Sequence, residues 1–243
     1  MPSSQDRLAI AEVVFWGGTA LPCSLYLWVK QGWLRLEWLF VFILASLRVI
    51  GSILQLQQDD LGPPSTSIAI VNGIGLSPLF GITLMLVHRL CVTAQHQRMG
   101  KIAVFLHVVI FGTVPLLIVG ILKIVKSGSS TTLGVILAAI GLAIFLQVYL
   151  AQTFLVLRAY RSKNVLKHNS LAIALFAMTP LLLLRLLYSA LSILVTSSDP
   201  VGSMAAQVVL AVLPENLIAL VAVGWGLLNM KEPKEQHNGY ELS

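Results

Sequence analysis

Seven long apolar stretches dominate the sequence and leave few folds open to it. They cover roughly residues 8–29, 38–57, 66–87, 102–124, 133–157, 170–195 and 205–228. A helix needs about 20 apolar residues to cross the hydrocarbon core of a bilayer, and each stretch is long enough. The sequence therefore predicts an all-α fold, a polytopic membrane bundle of seven transmembrane helices. It forms one domain over residues 1–230, followed by a polar tail over 231–243.

Composition agrees with a membrane protein and excludes an ordinary soluble domain. Of the 243 residues, 57% are hydrophobic and only 11% are charged. A soluble domain typically has about 25% charged residues. The net charge of +6 arises from residues in the loops between apolar stretches, so it does not indicate nucleic-acid binding.

The distribution of basic residues predicts how the chain crosses the membrane. Eleven of the sixteen Lys and Arg residues lie in the odd-numbered loops and the C-terminal tail. Three lie in the N-terminal tail and the even-numbered loops, and two lie inside the apolar stretches. Short loops rich in Lys and Arg stay in the cytoplasm. We therefore expect the N-terminus outside and the C-terminal tail in the cytoplasm, in the endoplasmic reticulum or the plasma membrane.

Four charged residues lie deep inside the apolar stretches: Glu12, Arg48, Arg185 and Glu215. Charges at membrane depth are costly and usually face a partner or a cavity. At about 1.5 Å per residue, Arg48, Glu215 and Arg185 lie about 15 to 22 Å from the cytoplasmic boundary, and Glu12 lies about 26 Å from it. Two positive and two negative charges balance. The set is either an ion-pair cluster that fixes helix registry or part of a functional site.

Polar residues extend two of these positions along one helical face each. Arg48, Ser52 and Gln55 follow the i, i+4, i+7 spacing of one face. Arg185 is followed by Tyr188, Ser189 and Ser192. Lipid disfavours both faces, so we expect them to turn inward. The residues expected to line a substrate site are Arg48, Arg185, Tyr188, Asn72, Gln55 and Trp16.

The sequence contains no motif for metal or cofactor chemistry. The histidines lack metal-ligand spacing, and His107 is interpreted as a buried core histidine. A Gly-rich phosphate loop, a CxxC or HExxH motif and a nucleophile elbow are all missing from the sequence. Cys23 and Cys91, the second placed in a short basic loop, predict no disulfide framework. We expect no cofactor, no metal and no serine or zinc hydrolysis.

Four segments carry a resemblance to known families: LRVIGSILQL, NGIGLSPLFGITL, LRLLYS and PENLIAL. They resemble an uncharacterised family of fungal seven-span membrane proteins over nearly the whole chain. The Arg-xx-Tyr pattern followed by a seventh-span Glu is also similar to fungal lipid-translocating exporters. In those proteins a second basic residue commonly follows the Tyr, where this chain has Ser189. In size and topology the chain resembles fungal membrane-bound terpene cyclases. The resemblance implies that an intramembrane carboxylic acid starts the cyclisation.

Two functions from different classes follow. The first is an enzyme of fungal secondary metabolism that cyclises a lipophilic prenyl or polyketide-type substrate, or opens its epoxide. Glu215 would be the general acid, because desolvation favours the protonated carboxyl group. A neighbouring Arg favours the carboxylate instead, so Glu12 replaces Glu215 as the acid if Glu215 is tightly paired.

The alternative is a non-enzymatic translocator or receptor for lipids or amphiphiles. In that hypothesis the charged set holds the helices and gates a polar path. Both hypotheses have the same expected partners, which are membrane lipids and a lipophilic small molecule, with no nucleic acid. Turnover of a candidate substrate distinguishes the two.

Overall fold

Helices make up almost all of the described chain in the computed structural model. The structure describes residues 4–32, 35–57, 75–93, 97–126, 132–161, 169–194 and 204–229. Its α-helices are Ser4–Phe15, Leu21–Gln31, Leu36–Leu56, Leu76–Thr93, Gln97–Lys126, Thr132–Tyr160, Asn169–Leu194, Met204–Gln207 and Leu213–Leu228. Two π-helical turns, Trp16–Ala20 and Val208–Val212, connect α-helical segments without a break.

Seven of the resulting helical units are long and apolar enough to cross a membrane. We number them as spans one to seven: Gln5–Gln31, Leu36–Leu56, Leu76–Thr93, Arg98–Ile124, Thr132–Tyr160, Ser170–Ser192 and Val208–Leu228. The predicted all-α bundle of seven spans is thus confirmed, and the seven apolar helices indicate an integral multi-pass membrane protein. The direction in which the termini face stays a prediction.

The third span is the centre of the bundle. In its most apolar window 72% of residues are buried, against 28% for the first and fourth spans. It packs against the second, fourth, fifth and sixth spans. Gly81 brings it close to the second span, because a Cβ at that position would lie 2.9 Å from the ring of Phe40. The absence of a side chain there is what allows the central helix to pack closely against the second span.

The fourth and fifth spans pack closely against each other, and glycines produce this contact. A Cβ on Gly120 would lie 2.9 Å from the backbone nitrogen of Ala138. A Cβ on Gly134 would lie 3.0 Å from the carbonyl oxygen of Gly120, and one on Gly141 would lie 2.7 Å from Leu117. Small residues let helix backbones approach closely, which is a principal source of packing energy in membranes. These contacts fix the antiparallel register of the two helices.

Both π-helical turns end at a Leu-Pro pair. In the first span the Leu21 N–H bonds the Trp16 carbonyl, and Pro22 follows. In the seventh span the Leu213 N–H bonds the Val208 carbonyl, and Pro214 follows. Proline has no N–H to donate, so the helix is weakest at that point and tolerates an altered turn. Neither π-helical turn was predicted from the sequence.

Some residues that the sequence placed in loops belong to helices. The helix of the third span continues to Thr93, so Cys91 is buried inside it rather than lying in a basic loop. Glu37 and Arg89 lie just outside the predicted apolar stretches 38–57 and 66–87, and both also belong to helices. The reason is that a helix continues past the end of its apolar stretch, whereas hydropathy marks only the apolar part. Both cysteines are free. Asn72 lies outside the described residues.

Candidate functional site

Glu215 is the meeting point of two arginines from different spans. Arg48 of the second span pairs with its Oε2, and the Nε of Arg185 in the sixth span donates to its Oε1. All three side chains are buried, and Glu215 is only 1% exposed. Glu215 thus makes two ion pairs, one with Arg48 and one with Arg185. These pairs join three spans.

The sixth span holds Arg185 through its own polar face. Its Nη1 donates to Ser189 Oγ at 2.6 Å, and Ser189 in turn donates to the carbonyl of Arg185 at 3.2 Å. The ring of Tyr188 lies 5.7 Å from the guanidinium carbon, within the range of a cation–π contact. A serine therefore occupies the position after the tyrosine and serves as a neutral partner of the arginine.

Glu12 reaches the same region from the first span but has a different kind of partner. The hydroxyl of Ser52 donates to its Oε2 at 3.0 Å. Ser52 lies one helical turn beyond Arg48, so Glu12 meets the polar face that carries this arginine. Among the described residues, its hydrogen-bond partner is a neutral hydroxyl and not a guanidinium. Glu12 also keeps 8% of its surface exposed. We call Glu12, Arg48, Ser52, Arg185 and Glu215 the interior cluster.

The remaining predicted site residues lie at varying distances along the chain from this cluster. Trp16 is fully buried in the π-helical turn one turn after Glu12, and its ring meets Phe15 edge-on at 5.2 Å. Within the described ranges its indole N–H has no acceptor. Gln55 is half-buried, about one turn beyond Ser52. Asn72 lies outside the residues that the structure describes.

An apolar groove between the fifth and sixth spans is separate from the interior cluster. It has a volume of about 230 Å³ and is lined by Ala139, Leu142, Ala143, Leu146, Leu183, Leu186, Leu187 and Ala190. At 3.6 residues per turn, Leu183 and Leu187 point to the side of the sixth helix opposite Arg185. The groove therefore does not open onto the charged residues.

A second polar region, which the sequence did not predict, closes one end of the bundle. Gln31 donates to the carbonyl of Gly226 at 3.0 Å, which ties the first span to the seventh. Its Oε1 accepts from Arg35 at 2.5 Å and from the indole N–H of Trp38 at 3.2 Å. Gln31 and Arg35 flank the first loop, so the sequence indicates that they lie at the end of a span. It does not indicate that Gln31 bonds Gly226 of the seventh span.

An ion pair extends this region to the third span. Arg89 Nη1 lies 3.5 Å from Glu37 Oε1, and the guanidinium carbon of Arg89 is 4.8 Å from the ring centre of Trp225. The carboxylate and the aromatic face together hold the arginine at the end of the helix. We call Gln31, Arg35, Glu37, Trp38, Arg89 and Trp225 the end network.

The titratable and sulfur groups that the structure describes do not form a metal centre. Among these residues, no three His, Cys, Asp or Glu side chains lie together in a way that could hold an ion. His107 lies with Nδ1 3.0 Å from the Ala103 carbonyl and Nε2 3.2 Å from the Gly81 carbonyl. Its ring stacks on Phe40 at 5.8 Å. It is a buried histidine bonded to two helices.

Comparison with known proteins assigns the chain to a family. Residues 3–232 match the model of the family described as Domain of unknown function (DUF7702). The match covers nearly the entire chain, so the protein belongs to this family. No curated protein matches the chain, and no solved structure matches it. The comparisons add no support for a likeness to lipid-translocating exporters or to membrane-bound terpene cyclases.

Proposed function

We propose that this member of the DUF7702 family is an integral membrane enzyme that uses Glu12 as a general acid. Its substrate is a lipophilic prenyl or polyketide-type molecule that enters the bundle from the membrane. Protonation of an alkene or an epoxide would start cyclisation or ring opening. A role in fungal secondary metabolism rests on the sequence resemblance alone.

The difference between the two buried glutamates carries the proposal. A general acid must hold a proton, and a carboxylate between two guanidiniums is stabilised in its ionised form. Glu215 is in that position, with Arg48 and Arg185 on its two oxygens. Glu12 instead accepts a hydrogen bond from Ser52 on one oxygen, and its other oxygen can carry the proton. This contrast supports Glu12 rather than Glu215 as the donor.

The neighbouring residues suggest how the step would run. Ser52 orients the carboxyl group, and Trp16 presents an aromatic wall one turn further along the first span. With an epoxide, the proton of Glu12 goes to the oxygen and the carbon–oxygen bond breaks. An alkene of the same substrate attacks the electron-deficient carbon, and loss of a proton to the Glu12 carboxylate restores the acid. The reaction needs no oxidant, reductant or cofactor.

The translocator or receptor hypothesis is supported by a different observation. The Arg48, Glu215 and Arg185 pairs lie inside the bundle and join the second, sixth and seventh spans. Buried charges in membrane proteins often mark the path of a polar group. In this reading a lipid or amphiphile passes the interior cluster, and Glu12 undergoes no chemistry.

Turnover by Glu12 variants tests the proposal. Wild-type protein in nanodiscs should convert one of a set of epoxy-prenyl compounds to a cyclic or diol product, detected by mass spectrometry. Glu12→Gln should remain folded and lose about 10²-fold or more of turnover per folded molecule, since general acids contribute about 10²–10⁴-fold. Glu12→Asp, the matched control, keeps an acid and should retain part of the activity.

Two outcomes would count against the enzyme. Wild-type turnover by Glu12→Gln would remove Glu12 from the chemistry. Saturable binding or transbilayer movement of the compounds without product would favour the translocator or receptor.

A further inference from the structure

Four exposed basic residues lie where the fourth span begins and the fifth span ends. Arg98 and Lys101 belong to the first two turns of Gln97–Lys126. Arg158 lies in the last turn of Thr132–Tyr160, and Arg161 directly follows that helix. Neither helix contains an Asp or a Glu. The charge of this surface is therefore not compensated by acids on the two helices that carry it.

The register of the two helices brings these residues to one level. Gly120 packs on Ala138 and Gly134, and Leu117 packs on Gly141. The fourth span contains Pro115 between these contacts and Arg98 but stays helical to its start, and the fifth stays helical to its end. Both helices rise equally per residue. Continuing the antiparallel register places Arg98 level with Arg158, with Lys101 one turn deeper.

This level coincides with the aromatic end of the bundle. Spans alternate in direction, so the start of the fourth and the end of the fifth lie on the same side as Trp38 and Trp225 of the end network. Tyr160 is also exposed here, with its ring edge-on to Phe176 at 5.1 Å. Trp38 and Trp225 are buried inside the bundle, whereas an exposed Tyr such as Tyr160 favours the depth of lipid headgroups. Exposed Ile102, Phe105 and Leu157 lie within about two turns of the charged residues, as acyl chains would require.

We propose that Arg98, Lys101, Arg158 and Arg161 form a headgroup site for an anionic phospholipid. The guanidinium groups pair with the phosphate and with a second anionic group of the headgroup. The apolar residues beneath them contact the acyl chains of the same lipid. The site prefers phosphatidylserine over phosphatidylcholine, because each basic residue near an anionic surface contributes a separate attraction. It is independent of the proposed chemistry at Glu12.

Competition between two lipids with identical acyl chains tests the site. Delipidated protein in detergent is titrated with equal amounts of phosphatidylserine and phosphatidylcholine, and the bound lipids are counted by native mass spectrometry. We expect wild type to retain the serine lipid preferentially. Arg98→Gln with Lys101→Gln and Arg158→Gln should lower that preference by about 100-fold, at roughly a fivefold loss per charge.

Two single substitutions serve as controls on position. Lys30→Gln removes an exposed charge from the same end but from the first span, and Arg7→Gln removes one from the opposite end. Both should leave the preference almost unchanged, whereas Arg98→Lys with Arg158→Lys should retain most of it. An unchanged melting temperature in the triple Gln variant shows that the loss is not unfolding.

Three results would overturn the site. The first is equal retention of the two lipids by wild type. The second is an undiminished preference in the triple Gln variant. The third is a loss with Lys30→Gln as large as that of the triple variant, which would indicate diffuse attraction to the whole end.

Discussion

The interior cluster and the end network both place charges within an apolar bundle, but they stabilise those charges differently. In the interior cluster, Glu215 is 1% exposed and meets two arginines that are also buried. In the end network, Arg89 and Glu37 are 27% and 11% exposed at their side chains, and Trp225 covers the arginine. Gln31 contributes neutral hydrogen bonds to the same network. One region depends on full charges away from water, and the other combines one weak pair with packing.

The difference indicates in which region the removal of a charge lowers the stability of the fold. A buried ion pair adds little net stability, but breaking it leaves an uncompensated charge, which is severely destabilising. A pair near the interface can be solvated when one partner is lost, so it matters little. We therefore expect sensitivity to charge in the interior cluster and sensitivity to shape in the end network.

The largest expected effect is that of Glu215→Leu. This change leaves both Arg48 and Arg185 without their shared carboxylate and should cost about 3–5 kcal/mol of unfolding free energy. The measurement is SDS titration in mixed micelles. The triple variant Arg48→Met, Arg185→Met, Glu215→Leu removes the charges together and should recover most of that loss. A triple variant no more stable than the single one would show that the three residues do not act as a unit.

The next effect concerns packing in the end network. A Cβ on Gly226 would lie well inside van der Waals contact with the ring of Trp38, which is fully buried and bonded to Gln31. Gly226→Ala should therefore cost about 1–3 kcal/mol of unfolding free energy, as overpacking does. Gly224→Ala is the matched control, since nothing lies within 4 Å of its added Cβ. Equal stability of the two variants in the same SDS titration would contradict the tight fit.

The smallest effect should be that of the ion pair at the bundle end. Glu37→Gln keeps the size of the side chain and removes only its charge, and Trp225 continues to contact Arg89. We expect a loss of about 1 kcal/mol or less, and less still in high salt. A loss comparable to that of Glu215→Leu would remove the distinction between the two regions.

Periodicity predicted one side of the interior cluster because the information is local. The spacing of Arg48 and Ser52 placed both on an inward face, and hydropathy predicted seven spans. The partner of Ser52 is Glu12, 40 residues away. Nothing in the local pattern distinguishes a serine that meets an acid from one that bonds its own helix, so this contact depended on tertiary packing.

The end network was not predicted, because the sequence already offers another explanation for its charged residues. Arg89 and Arg35 lie where positive charges set topology, and that role is sufficient to account for them in a sequence. Glu37 comes directly before the predicted apolar stretch 38–57, so hydropathy left it outside the span. Their contacts depend on which helix ends are neighbours, which span lengths and loop charges do not determine.

The two π-helical turns have a consequence for how the chain tolerates insertions and deletions. A π-helical turn is equivalent to one extra residue accommodated inside an α-helix. Because the wide turn takes up that residue, loss of one residue within Val208–Val212 would restore a continuous α-helix and leave the segments on both sides in their present orientation. The same holds for Trp16–Ala20 in the helix that carries Glu12. A one-residue deletion in an α-helical part of either span would instead rotate the residues on one side of it by about 100° relative to those on the other. The two turns are thus the places in the first and seventh spans where the chain can lose a residue without reorienting Glu12 or Glu215.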